Sequence, residues 1–419
     1  MEALTIRHAN AMPAPTWSWL KMNDTDIRIP DGLERRCQVQ IDAGDDLLET
    51  NASFEGAVQA LSEHLELAPC TAAADGRAVA LAATGADDGA AELDIPALST
   101  YERRAVLSEL ADNIGADFAG GVGTDARSYL TFLAGGAAVL ASEPNAKAAA
   151  SVRVEAATGT ASSACLDVVA AAGSTIELDL TIDADTDAAA LAGSTMRVFA
   201  GERASVDITV YVCAGPQTTV IEDAGLVLAE DARVRVRHVV LAGQVSITGL
   251  AADLRGDRSR IDIDTRYVAA GSEQRDFNYV IRHRGRKTIS NMDANGVLAG
   301  QARKCLRGTI ELIHGAKGAE GNERETVLLA SEGVGNKTVP TILCDEDDVA
   351  GNHGATIGHV RPEQLFYAAC RGLSAEQTEA LFMRSKFEDA WMSAPTDAAR
   401  AAVARLARTR IPDFEEELA

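Results

Sequence analysis

The amino-acid sequence predicts a mainly β chain with helical regions at its two ends, and three observations carry that prediction. Between about residue 128 and residue 360 the apolar residues recur at every second position, the period of a strand with one buried face. The strands so marked follow one another with no helical pattern between them, separated by short turns such as AGG, GST, CAGP and AAGS. Hydrophobic residues make up 47% of the 419, yet aromatics only 4%, against 35 glycines. A sandwich, a barrel and a β-solenoid all give such a string of strands. The solenoid is preferred, because stacked coils are filled by narrow, aligned β-branched and small side chains, whereas a sandwich core needs aromatic bulk.

Taken in order, residues 1–127 form a first region of helix-like runs and Asp/Gly/Ala-rich loops. Phe54, Val58, Leu61 and Leu65 recur at helical steps and predict a helix over 54–67; Val106, Leu107, Leu110 and Ile114 predict another over 101–114. The stretch ADGRAVALAATGADDGAAELD between them is low in complexity and reads as loop. Residues 128–360 form the strand-rich core. Here Val152/Val154, Ile176/Leu178/Leu180, Ile208/Val210/Val212, Val234/Val236, Val245/Ile247, Ile261/Ile263 and Ile310/Leu312 alternate with polar residues. Strand centres recur at irregular steps of roughly 10 to 30 residues, too loose for a strict repeat. Residues 361–419 return to helix. Leu365, Phe366, Ala369 and Cys370 share a face before Gly372, a C-terminal stop; Ser374 opens a longer helix with the stripe Leu381, Phe382, Phe387 and Trp391. Thr396 opens a last one over 397–408.

The charge balance excludes some functions. With 39 basic and 62 acidic residues the net charge is −23, so nucleic acid and anionic membranes are not expected partners: a phosphate-covered surface repels such a chain at long range. No run approaches the ~18 consecutive apolar residues of a membrane span. The N-terminal MEALTIRHANAMPAPTW lacks the charged and then apolar stretches of a secretory signal. Seven scattered cysteines without a CxxC pair read as reduced thiols, and the cytoplasm is the expected compartment.

Motifs of nucleotide chemistry fail on spacing. Gly333-Val334-Gly335-Asn336-Lys337-Thr338 has Asn336 where a phosphate loop needs Gly next to Lys, and Gly121-Val122-Gly123-Thr124-Asp125-Ala126 follows a helical pattern rather than a strand, so it reads as a plain loop. Neither an HExxH zinc motif nor a GxSxG elbow occurs. The basic island RHRGRK at 282–287 reads as a solvated turn between strands, with a docking patch as the alternative. The densest polar constellation runs from Cys344 to His359: a thiol, the acids Asp345, Glu346, Asp347 and Asp348, and the imidazoles of His353 and His359. Imidazole, thiolate and carboxylate together suit iron or other borderline metals, while an acidic run is also what a solvated loop looks like. Gly351 and Gly354 flank His353 and suggest a tight backbone path that aims its ring.

These same residues carry a resemblance. The segment from Pro340 through Asp347-Asp348-Val349 and His353-Gly354-Ala355-Thr356, followed by Leu365-Phe366-Tyr367 and Arg371-Gly372-Leu373, is similar to the C-terminal signature of the SufB/SufD family, scaffold-complex proteins of iron–sulfur cluster assembly. The likeness is strong over about 290–390, weaker over the strand-rich middle and poor over the first hundred residues. It implies a right-handed parallel β-helix core. It also implies a SufC-type ABC ATPase as partner, so that this chain itself binds no nucleotide. A SufD-type chain is implied rather than a SufB-type one: Asn352-His353-Gly354 stands where SufB-type chains have Glu-His-Glu, and the SufB acceptor cysteine is missing around Gly335-Asn336-Lys337-Thr338. Many SufD-type chains carry Cys where this one has Gly351. His353 is then the main candidate ligand for a transient iron–sulfur cluster at a subunit interface, with Cys344 as the second candidate.

The implied second chain is a SufB-type paralogue or another copy of this one, dimerised through the β-helix; the residues leave cluster type and flavin involvement open. The expected function is a non-enzymatic scaffold component that helps build and pass on a cluster. The alternative is a purely structural paralogue that stabilises the complex without touching metal. A polysaccharide-acting solenoid enzyme is set aside for want of aromatics and an export signal. Tyr367, Arg371 and Met383 are expected on the outer face of a helical ridge, containing Phe366, Leu381 and Phe387, that docks the ATPase while its inner stripe caps the last coil. Trp17 and Trp19 stand in place of the family's N-terminal aromatic motif and are expected to do its packing.

Overall fold

Two sheets of parallel strands face each other in the computed structural model, which describes residues 4–43, 48–51, 121–184, 186–411 and 414. From Ala137–Ala141 onward consecutive strands belong to opposite sheets and pair with the strands one coil before and after; among the described residues the sheets hold ten and nine strands. Coil follows coil in parallel register from Lys147–Glu155 to Ala350–His359, the solenoid that the alternation predicts. Register partners such as Val236 and Ile263, or Met292 and Glu323, lie 27 to 31 residues apart. This variation is taken up in the turns, which hides the repeat from the sequence.

Between the sheets the inward positions form stacked columns. Ile176, Val206, Val234 and Ile261 are successive register partners and are almost fully buried. Each such side chain contributes roughly 1.5–3 kcal/mol by leaving water. The outer face of the ten-stranded sheet is covered as well. Helix α1 (Thr124–Ala134) and the N-terminal strands Thr5–Ala9 and Thr25–Arg28 lay Leu130, Tyr129, Ile6 and Ile27 over Ala161, Leu191, Ile221 and Ile247. Thr160–Ala170 is therefore buried at every position. Gly121 presses so closely on Gly249 that a Cβ on either would meet backbone at 2.0 Å, so both positions require glycine. The segment 121–126, expected as a loop, runs directly into the first turn of α1. The helices expected over 54–67 and 101–114 lie outside the described residues.

The first coil is closed by antiparallel strands: Val39–Ala43 pairs with Lys147–Glu155, and Leu48–Asn51 with Ala137–Ala141. At the other terminus three helices follow, α2 (Pro362–Cys370), α3 (Ala375–Met392) and α4 (Asp397–Arg410). Gly372 takes the left-handed conformation (φ +87°) between α2 and α3, and Ser374 Oγ accepts from the Gln377 amide at 3.2 Å, as the sequence predicts. Their placement differs from expectation. Phe387, Ala390, Val403 and Ala407 pack on Tyr211, Val239, Leu241 and Val268, on the outer face of the nine-stranded sheet. The helices thus cover the flank of the solenoid and do not cap its last coil, and Ala350–His359 is exposed along almost its whole length. The basic island is a ladder of turns: Arg282 pairs with Glu311 at 3.1 Å, Arg284 with Asp253 at 3.0 Å and Arg286 with Asp257 at 3.2 Å.

Polar groups interrupt the interior in its later coils. Lys304 and Glu325 form an ion pair with side chains 0% and 1% exposed. Glu325 also accepts from the Tyr267 hydroxyl at 3.0 Å and from Thr338 at 2.5 Å, which saturates its oxygens. His283 is buried between the hydroxyls of Thr288 (2.7 Å) and Ser290 (2.9 Å), and burial pushes its pKa down to about 4.

Two outcomes follow. Replacing Lys304 with Met strands the Glu325 charge and is expected to lower stability by about 3–5 kcal/mol in denaturant unfolding, with the added Glu325→Gln change recovering most of it. His283 stays neutral in the folded chain while the unfolded chain binds a proton below its ordinary pKa of ~6.5. Its contribution is therefore complete above that pH and is lost as pH falls toward 4, by about 3 kcal/mol. His283→Gln, which cannot titrate, should flatten that part of the curve; parallel curves for both proteins between pH 7 and 4 would contradict this account.

Candidate functional site at the open end of the solenoid

One inward column changes character along the molecule. Leu178, Ile208, Val236, Ile263 and Met292 are successive register partners on the nine-stranded sheet, and the next two are Glu323 and His353. The column is apolar through five coils and ends in a carboxylate and an imidazole. Parallel neighbours of this kind stand about 4.8 Å apart.

The orientation of His353 follows from its neighbours. A Cβ on Gly351 would lie 3.1 Å from Ile342 and 3.5 Å from Leu312, so position 351 faces the interior, and strand alternation turns position 353 the same way. Asn352 faces outward and completes a ladder in which Asn291 donates to Asp262 (2.7 Å), Asn322 to Asn291 (3.1 Å) and Asn352 to Asn322 (2.9 Å). This ladder fixes the register that brings His353 next to Glu323. Gly351 thus serves close packing, while a Cβ on Gly354 would meet open space. His353 is exposed because no further coil follows it among the described residues.

Glu323 is 7% exposed and lies where Gly308 leaves room; a Cβ there would meet its Oε1 at 2.3 Å. Its Oε2 is buried without a hydrogen-bond partner among the described residues. Burial, reinforced by the Glu325 charge and opposed by Lys304, pushes its pKa up to about 7. Glu323, Glu325 and Lys304 escaped the sequence reading, and Thr338 entered it only as part of a failed phosphate loop and of the region without the acceptor cysteine. Their signal was present: EGNERETVLL and RKCLRGTIEL carry charges on the face of the alternation that holds Val327 and Ile310.

The other expected residues are spread out. Cys344 ends the strand Gly335–Cys344, exposed, with Sγ 3.3 Å from the Glu346 carbonyl. Pro340 follows Gly308 in register and so lies across from His353; Cys344 is four positions further on, roughly 13 Å at 3.3 Å per residue. Glu346 accepts from the Gly315 amide at 2.8 Å, so part of the acidic run ties turns together. Tyr367 is 62% exposed with the Arg371 guanidinium 5.2 Å from its ring centroid, and with Arg361, Gln364, Leu381 and Phe382 it lines a groove of about 610 Å³ between α2 and α3. Met383, expected outward, is half-buried against the flank cluster, and Phe387 is wholly buried there, because that face of α3 rests on the solenoid. Trp17 and Trp19 are 71% and 70% exposed, so they do not do the expected packing. Arg307 holds their segment instead, by donating to the carbonyls of Met22 (2.5 Å) and Asp24 (3.0 Å).

Imidazole nitrogen and carboxylate oxygen suit first-row divalent metals. Among the described residues no three His, Cys, Asp or Glu side chains converge as a ready metal-binding group. A full ligand shell at His353 therefore needs atoms from elsewhere.

Comparison with known proteins matches residues 152–386 to the family model described as SUF system FeS cluster assembly, SufBD core domain. The chain is similar to the iron–sulfur cluster assembly protein SufD of Bacillus subtilis, 29% identical over 185 residues that make up 44% of this chain and 42% of that protein. It is similar to SufD of Escherichia coli, 25% identical over 158 residues, 38% of this chain and 37% of that protein. An iron–sulfur cluster assembly SufBD family protein of Mycobacterium tuberculosis is 26% identical over 148 residues, 35% of this chain and 18% of that protein. The chain thus spans less than half the length of these relatives. A match over more than half of this chain, falling on the coils just described, shows that it belongs to the SufB/SufD family of iron–sulfur cluster assembly proteins and is SufD-like within it.

Proposed function

We propose that this chain is a non-enzymatic scaffold component on which an iron–sulfur cluster is built and from which it is passed on, with His353 offering one ligand to the transient cluster. The observation that carries the reading is the position of His353, inward-facing yet exposed, on the last strand of a solenoid whose end is uncovered among the described residues. Such an end presents a strand edge with unpaired N–H and C=O groups, a template for another chain. A SufB-type paralogue, or a second copy, docks there and brings the missing ligands. This work is assigned to the cytoplasm; among the described residues no helix is long and apolar enough to cross a membrane.

A SufC-type ATPase is the second proposed partner, on the groove between α2 and α3. Tyr367 and Leu381 line it at 62% and 53% exposure, and Phe366, on the same helix as Tyr367, is 71% exposed, an apolar surface that the described residues leave uncovered. Nucleotide chemistry belongs to that partner, which shifts the complex between two arrangements. The structural-paralogue reading has one observation in its favour, the absence of three converging ligands among the described residues.

Anaerobic co-expression with SufB-type and SufC-type chains separates the two readings. His353→Ala is expected to leave the purified complex intact while removing most of its visible cluster absorption. Unchanged absorption favours the structural paralogue, and a chain that no longer folds makes His353 a core histidine. For the groove, Tyr367→Ala combined with Arg371→Glu should weaken ATPase co-purification at least about tenfold, the effect of losing one well-packed anchor. Met383→Ala should instead lower the melting temperature, with binding retained.

A further inference from the structure

We propose that Glu323 is a second ligand from this chain, binding a divalent first-row cation of the ferrous type together with His353 at the open end of the solenoid. The inference rests on the reading of His353 as a cargo ligand and adds a residue to it. Four observations carry it. Glu323 directly precedes His353 in the register of the same inward column, with both side chains on one face. The Asn352–Asn322 bond locks that register from the outside. Gly308 leaves the space in which the Glu323 carboxylate lies. Its Oε2 is buried without a hydrogen-bond partner among the described residues, although Glu323 is only 7% exposed.

The contrast with Glu325, two positions along the same strand, is the discriminating point. Glu325 has Lys304, Tyr267 and Thr338 around it and no oxygen to spare. Among the described residues Glu323 forms no ion pair, and a buried carboxylate oxygen without a hydrogen-bond partner is destabilising unless something binds it. An oxygen and an imidazole nitrogen on neighbouring parallel strands, about 4.8 Å apart at the backbone, are within reach of one ion. Carboxylate with imidazole is a donor set that iron, cobalt and zinc accept. The remaining positions face the open end, where the cargo's other atoms or the docking chain would supply them. Glu323 then holds the ion on the inner side while His353 meets it at the rim.

The test uses the full chain and Co2+ alone, titrated anaerobically and followed by the metal's visible absorption and by calorimetry. Glu323→Gln is expected to bind at least tenfold more weakly than the wild type and to melt no lower, since it removes a buried acid. His353→Ala should lose a similar factor, and the double variant little more than either single one, because both changes remove one site. Asp347→Asn, in the exposed loop, should bind like the wild type. If Glu323→Gln stays within twofold of the wild type while His353→Ala loses binding, the inference is wrong and the proposed function still stands. If His353→Ala binds normally, that function loses its ligand. Equal loss from Asp347→Asn moves the site to the acidic loop and overturns the inference as well. Should Glu323→Gln fail to fold, Gly308→Ala keeps the charge but pushes the carboxylate aside, and unaltered Co2+ binding by that variant would equally refute the inference.

Discussion

The structure depends on one constraint: in a stack of parallel coils, a strand's backbone partners lie in the coils before and after it. Within the parallel coils, from Lys147–Glu155 to Ala350–His359, no strand pairs with its neighbour in sequence, so the interior of a stack is satisfied by its neighbours while an end needs some other cover. A buried backbone group without a partner destabilises by as much as a lost hydrogen bond, and an exposed edge invites another chain. The first coil is closed within the described residues, by antiparallel strands. The last coil is not. The chain had helices available for the purpose and laid them on the flank instead, over Tyr211, Val239 and Val268. The change from Met292 to Glu323 and His353 follows the same logic, since an apolar column cannot usefully continue to an end that water or a partner reaches.

Register is the second consequence. A slip of one residue would turn every inward side chain outward, and outward groups guard against it. The Asp262, Asn291, Asn322 and Asn352 ladder does so on one sheet, and the arginine–acid pairs at the turns do so between coils. Exposed pairs of this kind contribute only about 0–1 kcal/mol each, so their value lies in specifying one alignment. His353 depends on that alignment, because the ladder that holds Asn352 outward holds its ring inward.

Alternation made the solenoid legible in the sequence, because positions such as Ile176, Val206 and Val234 face a core that only narrow side chains fill. The length of a coil was not legible, since insertions fall in turns where nothing inside the stack constrains them. A helical stripe reveals which side chains are buried but not what buries them, so Phe387 read as an exposed ridge although it rests on the flank. His353 was visible through the motif around it. Glu323 and Lys304 were missed because alternation was followed only through apolar residues, whereas the informative event was a charge arriving on the apolar face. Trp17 and Trp19 misled in the opposite direction: large aromatics suggest packing, yet backbone carbonyls hold that segment to Arg307.

The two acids of one strand show how stability and function divide at the open end. Glu325 is structural in the strict sense, since an ion pair and two hydroxyls saturate it. A buried pair of this sort is not itself a strong source of stability, because desolvation offsets much of its attraction. It does place a rigid, fully satisfied layer just inside the last coil. Beyond that layer a terminal coil has only one neighbour, and in a nearest-neighbour stack it holds the least stability. Local opening is expected to begin there. Anything that binds the folded end and not the open one stabilises it by mass action. On the proposed reading, cargo and partner chain both qualify, so the coil that is weakest alone becomes complete only in the assembly that it serves.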